Sequence, residues 1–464
     1  MEGDKGLGAS PDAEMRDPGA LVSFEDSVVL RKLAAPLDEG HFLTSDLARS
    51  FVETRLLTPF VVVDARTVTA PRLPFVTYPF EWCDSQLLRA AELTLHIQQE
   101  CVSAGYDLKD ASAWNVIYAG TRPVFCDLLS FVPLRTKKWW AMGQFARQFV
   151  VPLAVARRRG LRVHHAFKAW RDGIPADVGR QLLGPSRFLS RYWPLVAGDA
   201  GSAIRGTRDG SNAQVEPGEI SIDSIRNFRV GLHTVLRWTL KGAAPVTSMA
   251  RRASREWDQY EAHREHYLAD SLDHKRACVS AWVGKVMPAW VADFGCNTGE
   301  FSEIALKHGA SVVALDADHE SVQRLFDRFR DNAKLFPVLA NLDDVSGGRG
   351  WAGVEYASLP DRMAQRFDLV MMLALIHHLM VSVSIPMEVI AAFCARCTRS
   401  WLIVELIDES DPQLRLLCAQ RLRDPGEFTL QRQRDAFAHA GFDVHEEVSL
   451  TPAARSLVLL RLRS

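Results

Sequence analysis

The 464-residue chain is 47% hydrophobic and 24% charged, and its formal net charge is −1. This composition excludes a disordered chain and is typical of a globular protein with two or three cored domains. The net charge gives no electrostatic basis for nucleic acid or an anionic membrane as the main partner, and no apolar run is long enough to span a bilayer. Eight scattered cysteines, with one C-x-x-C pair and no second, fit a reducing compartment and no zinc site. We therefore expect a cytoplasmic protein.

The composition along the chain predicts a division into domains. Residues 1–20 are polar and rich in Gly, Pro, Asp and Glu, without the apolar core of a secretory signal, so they are expected to form a disordered leader. Residues 21–197 carry their own apolar clusters, whereas residues 198–219 have few apolar residues and predict a linker or loop. A helical connection over residues 220–256 then leads into a domain at 257–464.

The stretch DLKDASAWNVIYAGTRPVFCDLLSF (residues 107–131) has a spacing typical of phosphotransfer. Asp110 and Asn115 are five residues apart, and Asp127 follows an apolar strand twelve residues after Asn115. In kinases, residues at these intervals take the substrate proton and hold magnesium. The stretch resembles the catalytic loop of kinase-like and aminoglycoside-phosphotransferase-like folds, which implies an α+β kinase-like domain.

The upstream part of the same half fits a kinase less well. SVVLRKL could be a strand that presents Lys32, and SDLARSFVETRLL a helix that presents Glu53, but no glycine-rich phosphate loop precedes them. Three interpretations stay open for this half: a degenerate kinase-like domain that braces the enzyme or positions its acceptor, an active kinase that uses Mg-ATP, and an unrelated fold. In the last case Asp110 and Asn115 serve turns and caps.

From residue 290 onward, strands alternate with helices. WVADFG, SVVALDAD, FPVLANLDD, FDLVMMLAL and SWLIVELID read as five strands, and GEFSEIALKHG and HESVQRLFDRFRDNA as helices between them. Such alternation predicts a parallel, doubly wound α/β sheet that is covered on both faces. The expected ligand edge lies beyond the carboxyl ends of the strands.

The stretch VADFGCNTGEFS (residues 291–302) lies at this edge and predicts a cofactor turn. Gly295 and Gly299 allow a tight turn and close approach to a ligand, and a helix begins directly afterwards. Asp316 ends the next strand, where a carboxylate can accept both hydroxyls of a ribose. Asn297 replaces the middle glycine of the dinucleotide fingerprint, which favours a nucleoside without phosphates. The D-F-G letters lack the upstream D-x-x-x-x-N loop of a kinase, so they are coincidental.

These motifs, with FDLVMMLALIHHL and WLIVELI in this order, resemble class I S-adenosylmethionine-dependent methyltransferases, which have a Rossmann-like fold. GWAGVEYASLPDR with LALIHHL, together with YPFEW and LKDASAWNV upstream, is similar to bacterial methyltransferases related to rhizobial host-specific nodulation proteins. The first resemblance implies cofactor contacts to the methionine moiety, the ribose, the adenine and the sulfonium. The residues implied are Asp293, Gly295, Cys296, Asn297, Gly299, Asp316, Asn341, Leu342 and Ala374.

Methyl transfer is an in-line displacement, so the protein must position the acceptor and remove a proton from a hydroxyl. His377, His378 and Glu405 lie at strand ends and are the candidate catalytic residues. We expect methyl transfer to an O or N atom of a small molecule, a glycan or a lipid-linked precursor. Two alternatives are a bifunctional kinase-methyltransferase and a non-catalytic scaffold that binds the cofactor without turnover.

Overall fold

The computed structural model describes residues 19–25, 27–38, 40–192, 195, 221–245, 269–450 and 454–463. The chain divides into two compact units, residues 1–248 and 249–464. Three predicted segments lie outside the described residues, apart from the last two residues of the leader. They are the leader, the linker at 198–219 and the second part of the helical connection.

The first unit is α+β. Its strands are β1 Ala20–Glu25, β2 Val28–Leu33, β3 Val61–Asp64, β4 Thr67–Pro71, β5 Tyr106–Leu108, β6 Val116–Ala119, β7 Arg122–Phe125 and β8 Phe131–Pro133. The largest sheet is antiparallel in the order β1-β2-β4-β3, and two small ladders pair β5 with β8 and β6 with β7.

The helices of the first unit are α1 Asp46–Glu53, α2 Asp84–Ala104, α3 Met142–Phe145, α4 Val151–Arg159, α5 Val163–Ala169, α6 Ala176–Leu183 and α7 Ile222–Ala243. Helices α4, α5 and α7 pack against the long helix α2, which ends where Gly105 takes a φ of +89°. A π-helical turn joins α3 to α4, and short 3₁₀ turns lie at Phe42–Thr44, Pro79–Glu81, Ala113–Asn115 and Pro185–Leu189.

Helix α7 covers most of the described part of the predicted helical connection, and it packs against α2 inside the first unit. Its buried face carries Arg229, which forms an ion pair with Asp107 of β5. Gln98 of α2 donates a hydrogen bond of 2.6 Å to the same carboxylate. The helix is thus part of the core of this unit.

The second unit is built on one seven-stranded sheet in the order β11-β10-β9-β12-β13-β15-β14. Its strands are β9 Trp290–Phe294, β10 Ser311–Asp316, β11 Leu335–Leu339, β12 Phe367–Met372, β13 Thr398–Ile407, β14 Phe442–Leu450 and β15 Arg455–Leu462. The first five are parallel and match the five predicted strands, while β15 pairs antiparallel with both β13 and β14. The prediction of a wholly parallel sheet is therefore wrong at this edge: the sheet is mixed.

The described helices of the second unit are α8 Ala269–Val286, α9 Glu300–Lys307, α10 His319–Arg328, α11 Leu359–Met363, α12 Met387–Cys397, α13 Pro412–Gln420 and α14 Leu430–His439. Helices α8, α9, α10, α12 and α14 pack on the sheet, whose central strands are apolar on both faces. A π-helical turn lies at His378–Ser382, and 3₁₀ turns lie at Trp351–Gly353 and Pro425–Phe428. Among the described helices, none is both long and apolar enough to cross a membrane.

Candidate functional site

The register of the parallel strands determines which residues meet at the ligand edge. Met372 of β12 pairs with both Phe294 of β9 and Val404 of β13, and Phe294 pairs with Leu315 of β10. The residues that follow these four are therefore level with one another across the sheet. They are Asp316, Gly295, Leu373 and Glu405.

A tight turn follows β9. The amides of Gly295 and Cys296 donate to the carbonyl of Leu315 at 2.9 and 3.1 Å, which ties the turn to β10. Gly295 and Gly299 have φ values of +73° and +86°, so both occupy the left-handed region that glycine tolerates best. A Cβ on Gly299 would also collide with Leu325. The backbone of this turn therefore requires both glycines.

Asp316 connects the glycine turn to the start of α10. Its Oδ2 accepts a hydrogen bond from the Asn297 amide at 2.7 Å, and its Oδ1 accepts one from the Asp318 amide at 2.8 Å. A carboxylate has about four acceptor positions, so each oxygen can still accept a hydrogen bond from a ligand hydroxyl. Burial raises the pKa of Asp316, although its side chain is only partly covered at the edge. Two adjacent hydroxyls, as in a ribose, fit this carboxylate.

Asp293 lies in β9, two residues before Gly295, and its side chain is buried. Its Oδ2 accepts a hydrogen bond from the Ser302 hydroxyl at 2.6 Å, which fixes the first turn of α9. Burial is the main cause that raises the pKa of Asp293 to about 6, and the nearby charge of Asp316 contributes to this rise. Among the described residues, Asp293 forms no ion pair. A buried carboxylate close to a second one favours a ligand that carries positive charge.

The other predicted cofactor residues lie in the same region. Cys296 is buried in the turn, where burial raises the pKa of its thiol, and Asn297 has a φ of +47° and accepts a hydrogen bond from the Ser321 hydroxyl. Asn341 and Leu342 come directly after Ala340, whose amide donates to the carbonyl of Asp316 at 3.0 Å. Ala374 follows β12 with a φ of +53°. Leu375, the next residue, packs against Gly295.

His377 and His378 lie in the turn after β12, and their ring centroids are 4.2 Å apart. Burial is the main cause that lowers the pKa of His377 well below its usual value, and His378 and Arg455 lower it further. Burial and then Arg455 lower the pKa of His378 to about 4. Both imidazoles are therefore neutral near pH 7. Nδ1 of His377 is buried and has no hydrogen-bond partner among the described residues.

Glu405, the third candidate catalytic residue, is bound to two cations. Lys275 of α8 contacts its Oε2, and Arg455 of β15 donates to its Oε1 at 2.8 Å. Arg455 also donates to Asp411 at 2.8 Å, and Asp411 in turn caps the first amides of α13. All four side chains are buried. A carboxylate held by two cations is a weak base, so Glu405 fits an ion-pair role better than proton removal.

The first unit brings two residues of the predicted kinase-like site together. Nδ2 of Asn115 and the hydroxyl of Ser130 both donate to Oδ2 of Asp127, at 3.2 and 2.6 Å. Asp110 lies half-buried in the loop between β5 and the 3₁₀ turn that holds Asn115. Among the described residues, no group of three or more His, Cys, Asp or Glu side chains is placed to hold a metal ion.

The structure does not bring Lys32 to this site. Lys32 is exposed on β2, and it forms no ion pair with Glu53 among the described residues. The neighbouring Arg31 points to the other face of the strand, where its Nη2 is 3.5 Å from the carbonyl of Cys126, next to Asp127. Arg31 is therefore the cation of β2 that lies nearest to the candidate site.

Comparisons with known proteins agree with the geometry of the second unit. Residues 260–447 match a family model described as a methyltransferase domain. The chain is 28% identical over 413 residues to the nodulation protein NoeA of Rhizobium meliloti (strain 1021). This alignment covers 87% of this chain and 83% of that protein. These findings confirm the prediction of an S-adenosylmethionine-dependent methyltransferase and the similarity to a nodulation protein. The kinase-like region stays a prediction.

Solved structures of methyltransferases are also similar to part of the chain. Magnesium protoporphyrin IX methyltransferase (ChlM) from Synechocystis PCC 6803, with bound SAM, is 15% identical with a TM-score of 0.33 and covers 46% of this chain and 93% of its own. The N-methyltransferase NodS from Bradyrhizobium japonicum WM9 is 10% identical with a TM-score of 0.32 and covers 42% of this chain and 98% of its own.

The first prediction concerns the charge network around Glu405. Lys275→Met leaves a buried carboxylate with one counter-ion fewer, so we expect it to destabilise the second unit by about 3 kcal/mol. The double variant Lys275→Met/Glu405→Gln should lose less free energy of unfolding than the two single variants lose together, because the two side chains interact directly. Urea unfolding of the four proteins in the cycle measures this coupling.

Lys307→Met is the matched control, since Lys307 is exposed and pairs with Glu303 at 3.0 Å on the surface of α9. This substitution should lower the free energy of unfolding by less than about 1 kcal/mol. Equal losses for Lys275→Met and Lys307→Met would contradict the importance of the buried network.

The second prediction concerns Asp293. Its pKa in the folded protein is about 6, against 3.8 in the unfolded chain, so the wild-type protein loses stability as the pH rises between these values. Asp293→Asn keeps an acceptor for Ser302 and removes this loss. We expect the variant to be more stable than wild type above pH 6 by about 3 kcal/mol, with the difference vanishing near pH 4. Urea unfolding at several pH values tests this, and a difference that does not depend on pH would contradict it.

Proposed function

We propose that this S-adenosylmethionine-dependent methyltransferase holds its cofactor along the carboxyl ends of β9, β10 and β11 and transfers the methyl group to an oxygen or nitrogen atom. The observation that supports the proposal is that Gly295, Asp316 and Leu373 lie at one level of the sheet, with the tight glycine turn directly after β9. The acceptor belongs to a small molecule, a glycan or a lipid-linked precursor.

The chain offers a separate contact for each part of the cofactor. Asp316 accepts hydrogen bonds from the ribose hydroxyls, and Asn341 and Leu342 lie beside the adenine. The turn from Gly295 to Gly299, which includes Cys296 and Asn297, lines the methionine moiety. Asp293 and Asp316 together favour the positive charge of this ligand over a neutral one. The sulfonium, when bound, supplies an activated methyl group.

The acceptor side is formed by the segment after β12. Ala374 turns the chain there, and His377 follows with a neutral imidazole whose buried Nδ1 has no hydrogen-bond partner in the described part of the chain. This nitrogen can accept the hydrogen bond of an O–H or N–H group and so orient the nucleophile for in-line attack. With the cofactor bound, its sulfonium would supply the methyl group to the acceptor and keep the S–CH₃ electron pair, while His377 or water would take the proton that the acceptor loses. His378 supports the orientation of His377 by ring contact.

The third prediction tests the cofactor site. Asp316→Ala removes the carboxylate that binds the ribose hydroxyls, and charge-assisted hydrogen bonds of this kind contribute about 1.5 to 3 kcal/mol each. Calorimetric titration with S-adenosylmethionine and S-adenosylhomocysteine should show at least a tenfold loss of affinity for both. Asp435→Ala, an exposed aspartate on α14, is the matched control and should bind like wild type. A folded Asp316→Ala protein with unchanged affinity would place the ribose elsewhere.

A second candidate function, a bifunctional kinase-methyltransferase, is favoured by one observation in the first unit. Asn115 and Asp127, which are twelve residues apart in the sequence, form a direct hydrogen bond. In a kinase both side chains bind magnesium, so their proximity is what an Mg-ATP site requires. The exposed position of Lys32 counts against the usual lysine contact to the phosphates, and Arg31 is the cation that could replace it.

The fourth prediction separates the two candidates. If the first unit is an active kinase, calorimetric titration with ATP and magnesium gives a binding isotherm, and Asp127→Asn abolishes it while leaving S-adenosylmethionine binding unchanged. If no heat of ATP binding appears in the presence of magnesium, the bifunctional candidate is wrong. S-adenosylmethionine titration in the same sample confirms that the second unit is folded, and circular dichroism of Asp127→Asn against wild type checks the fold of the first.

A further inference from the structure

The side chain of Leu375 joins the segment after β12 to the glycine turn after β9. A Cβ placed on Gly295 would lie 3.3 Å from Cδ2 and 3.4 Å from Cδ1 of Leu375, which is closer than most van der Waals contacts of a Cβ. The half-buried leucine therefore lies directly on the glycine, and a residue without a side chain leaves room for it. The chain segments that follow two neighbouring strands of the sheet meet at this contact.

The backbone of Leu375 holds the turn that carries His377. Its carbonyl accepts hydrogen bonds from the amides of His378 and Leu379, at 3.0 and 3.3 Å. We call residues 375–382 the acceptor turn. Because the side-chain contact and these hydrogen bonds belong to one residue, a shift of the glycine turn also displaces the carbonyl on which the acceptor turn is built.

The backbone around Leu375 departs from regular geometry on both sides. Ala374 has a φ of +53°, a left-handed conformation that a residue with a Cβ keeps only where its surroundings hold it. The acceptor turn continues as the π-helical turn His378–Ser382, and such turns are rare and frequent at functional sites. Tertiary contacts, rather than local preference, therefore determine where this segment lies.

Arg423 holds the far end of the acceptor turn. Its guanidinium donates to the carbonyl of Met380 at 3.3 Å and forms an ion pair with Glu427. Helix α13 packs against the same π-helical turn. Both of these contacts come from the segment after β13, whereas Leu375 contacts the glycine turn. The two ends of the acceptor turn are thus held by different parts of the unit, and Leu375 holds the end on the cofactor side.

We propose that Leu375 is a positioning residue, which places His377 relative to the cofactor by transmitting the position of the glycine turn to the acceptor turn. The inference deepens the proposed function and rests on it, because the glycine turn has to hold the cofactor and His377 has to face the acceptor. In-line transfer requires the nucleophile close to the methyl carbon, so even a small displacement of His377 slows it. Leu375 has no group that can take a proton, and it acts through the two turns that it joins.

The fifth prediction is tested by hydrogen–deuterium exchange of the full-length protein with and without saturating S-adenosylhomocysteine. In wild type the ligand should slow exchange of the amides in residues 376–383 by about fivefold or more, the lower end of usual coupling between two sites. In Leu375→Ala this slowing should be lost, while the amides of the glycine turn are still protected. Leu375→Met keeps the side-chain volume and should restore the effect.

Arg423→Gln is the matched control in the same turn. It removes the hydrogen bond to Met380, so the acceptor turn should exchange faster overall, but the ligand should slow this exchange by the same factor as in wild type. This separates a loosened turn from a turn that no longer follows the cofactor site. If Leu375→Ala does not fold, Leu375→Val, which is shorter by one carbon, takes its place and should show a reduced effect.

Full slowing in Leu375→Ala overturns the inference, and so does a wild-type protein that binds the ligand without any change in residues 376–383. Calorimetric titration of the same samples completes the test. If Leu375→Ala no longer binds S-adenosylhomocysteine, Leu375 is a cofactor contact and the inference is wrong. If wild type binds neither S-adenosylmethionine nor S-adenosylhomocysteine, the proposed function itself fails, which distinguishes the two failures.

Discussion

Parallel pairing around β9 is the constraint on which the ligand edge of the second unit depends. Because β9 pairs in register with β10 on one side and β12 on the other, the chain leaves all three strands at the same level. The hydrogen bonds of Asp316 then fix the glycine turn from the neighbouring strand. A shift of one residue in either pairing would turn these side chains to the opposite face of the sheet and dismantle the edge.

Much of this arrangement could be predicted from local sequence patterns. The five apolar strands, the glycine turn and Asp316 each lie within a short segment, and alternation with helices predicts that they meet at one edge. The outer antiparallel strand β14 could not be predicted in the same way. FDVHEEVSL is mostly polar, since it lies at an exposed edge of the sheet, so its pattern carries little of the apolar signal of a strand.

The side chains around Glu405 show a second limit of sequence reasoning. Lys275 and Arg455 are 130 and 50 residues away from Glu405, and no motif links them. A strand-end carboxylate looks like a candidate base until its counter-ions are known. In the first unit, Asn115 and Asp127, whose spacing suggested a kinase-like site, form a hydrogen bond. The choice of Lys32 over Arg31 could not be made without knowing which face of β2 each residue occupies.

The central position of β15 in its part of the sheet has a consequence for protein synthesis. This strand lies between β13 and β14, although both are made before it. Until it emerges from the ribosome, β13 and β14 have no partner between them, and Glu405 lacks the guanidinium of Arg455. A nascent chain at this stage exposes two unpaired strand edges and a charge that cannot yet be buried, which is a condition that favours aggregation. Chaperone dependence during synthesis would therefore be concentrated in the interval between translation of β13 and release of β15.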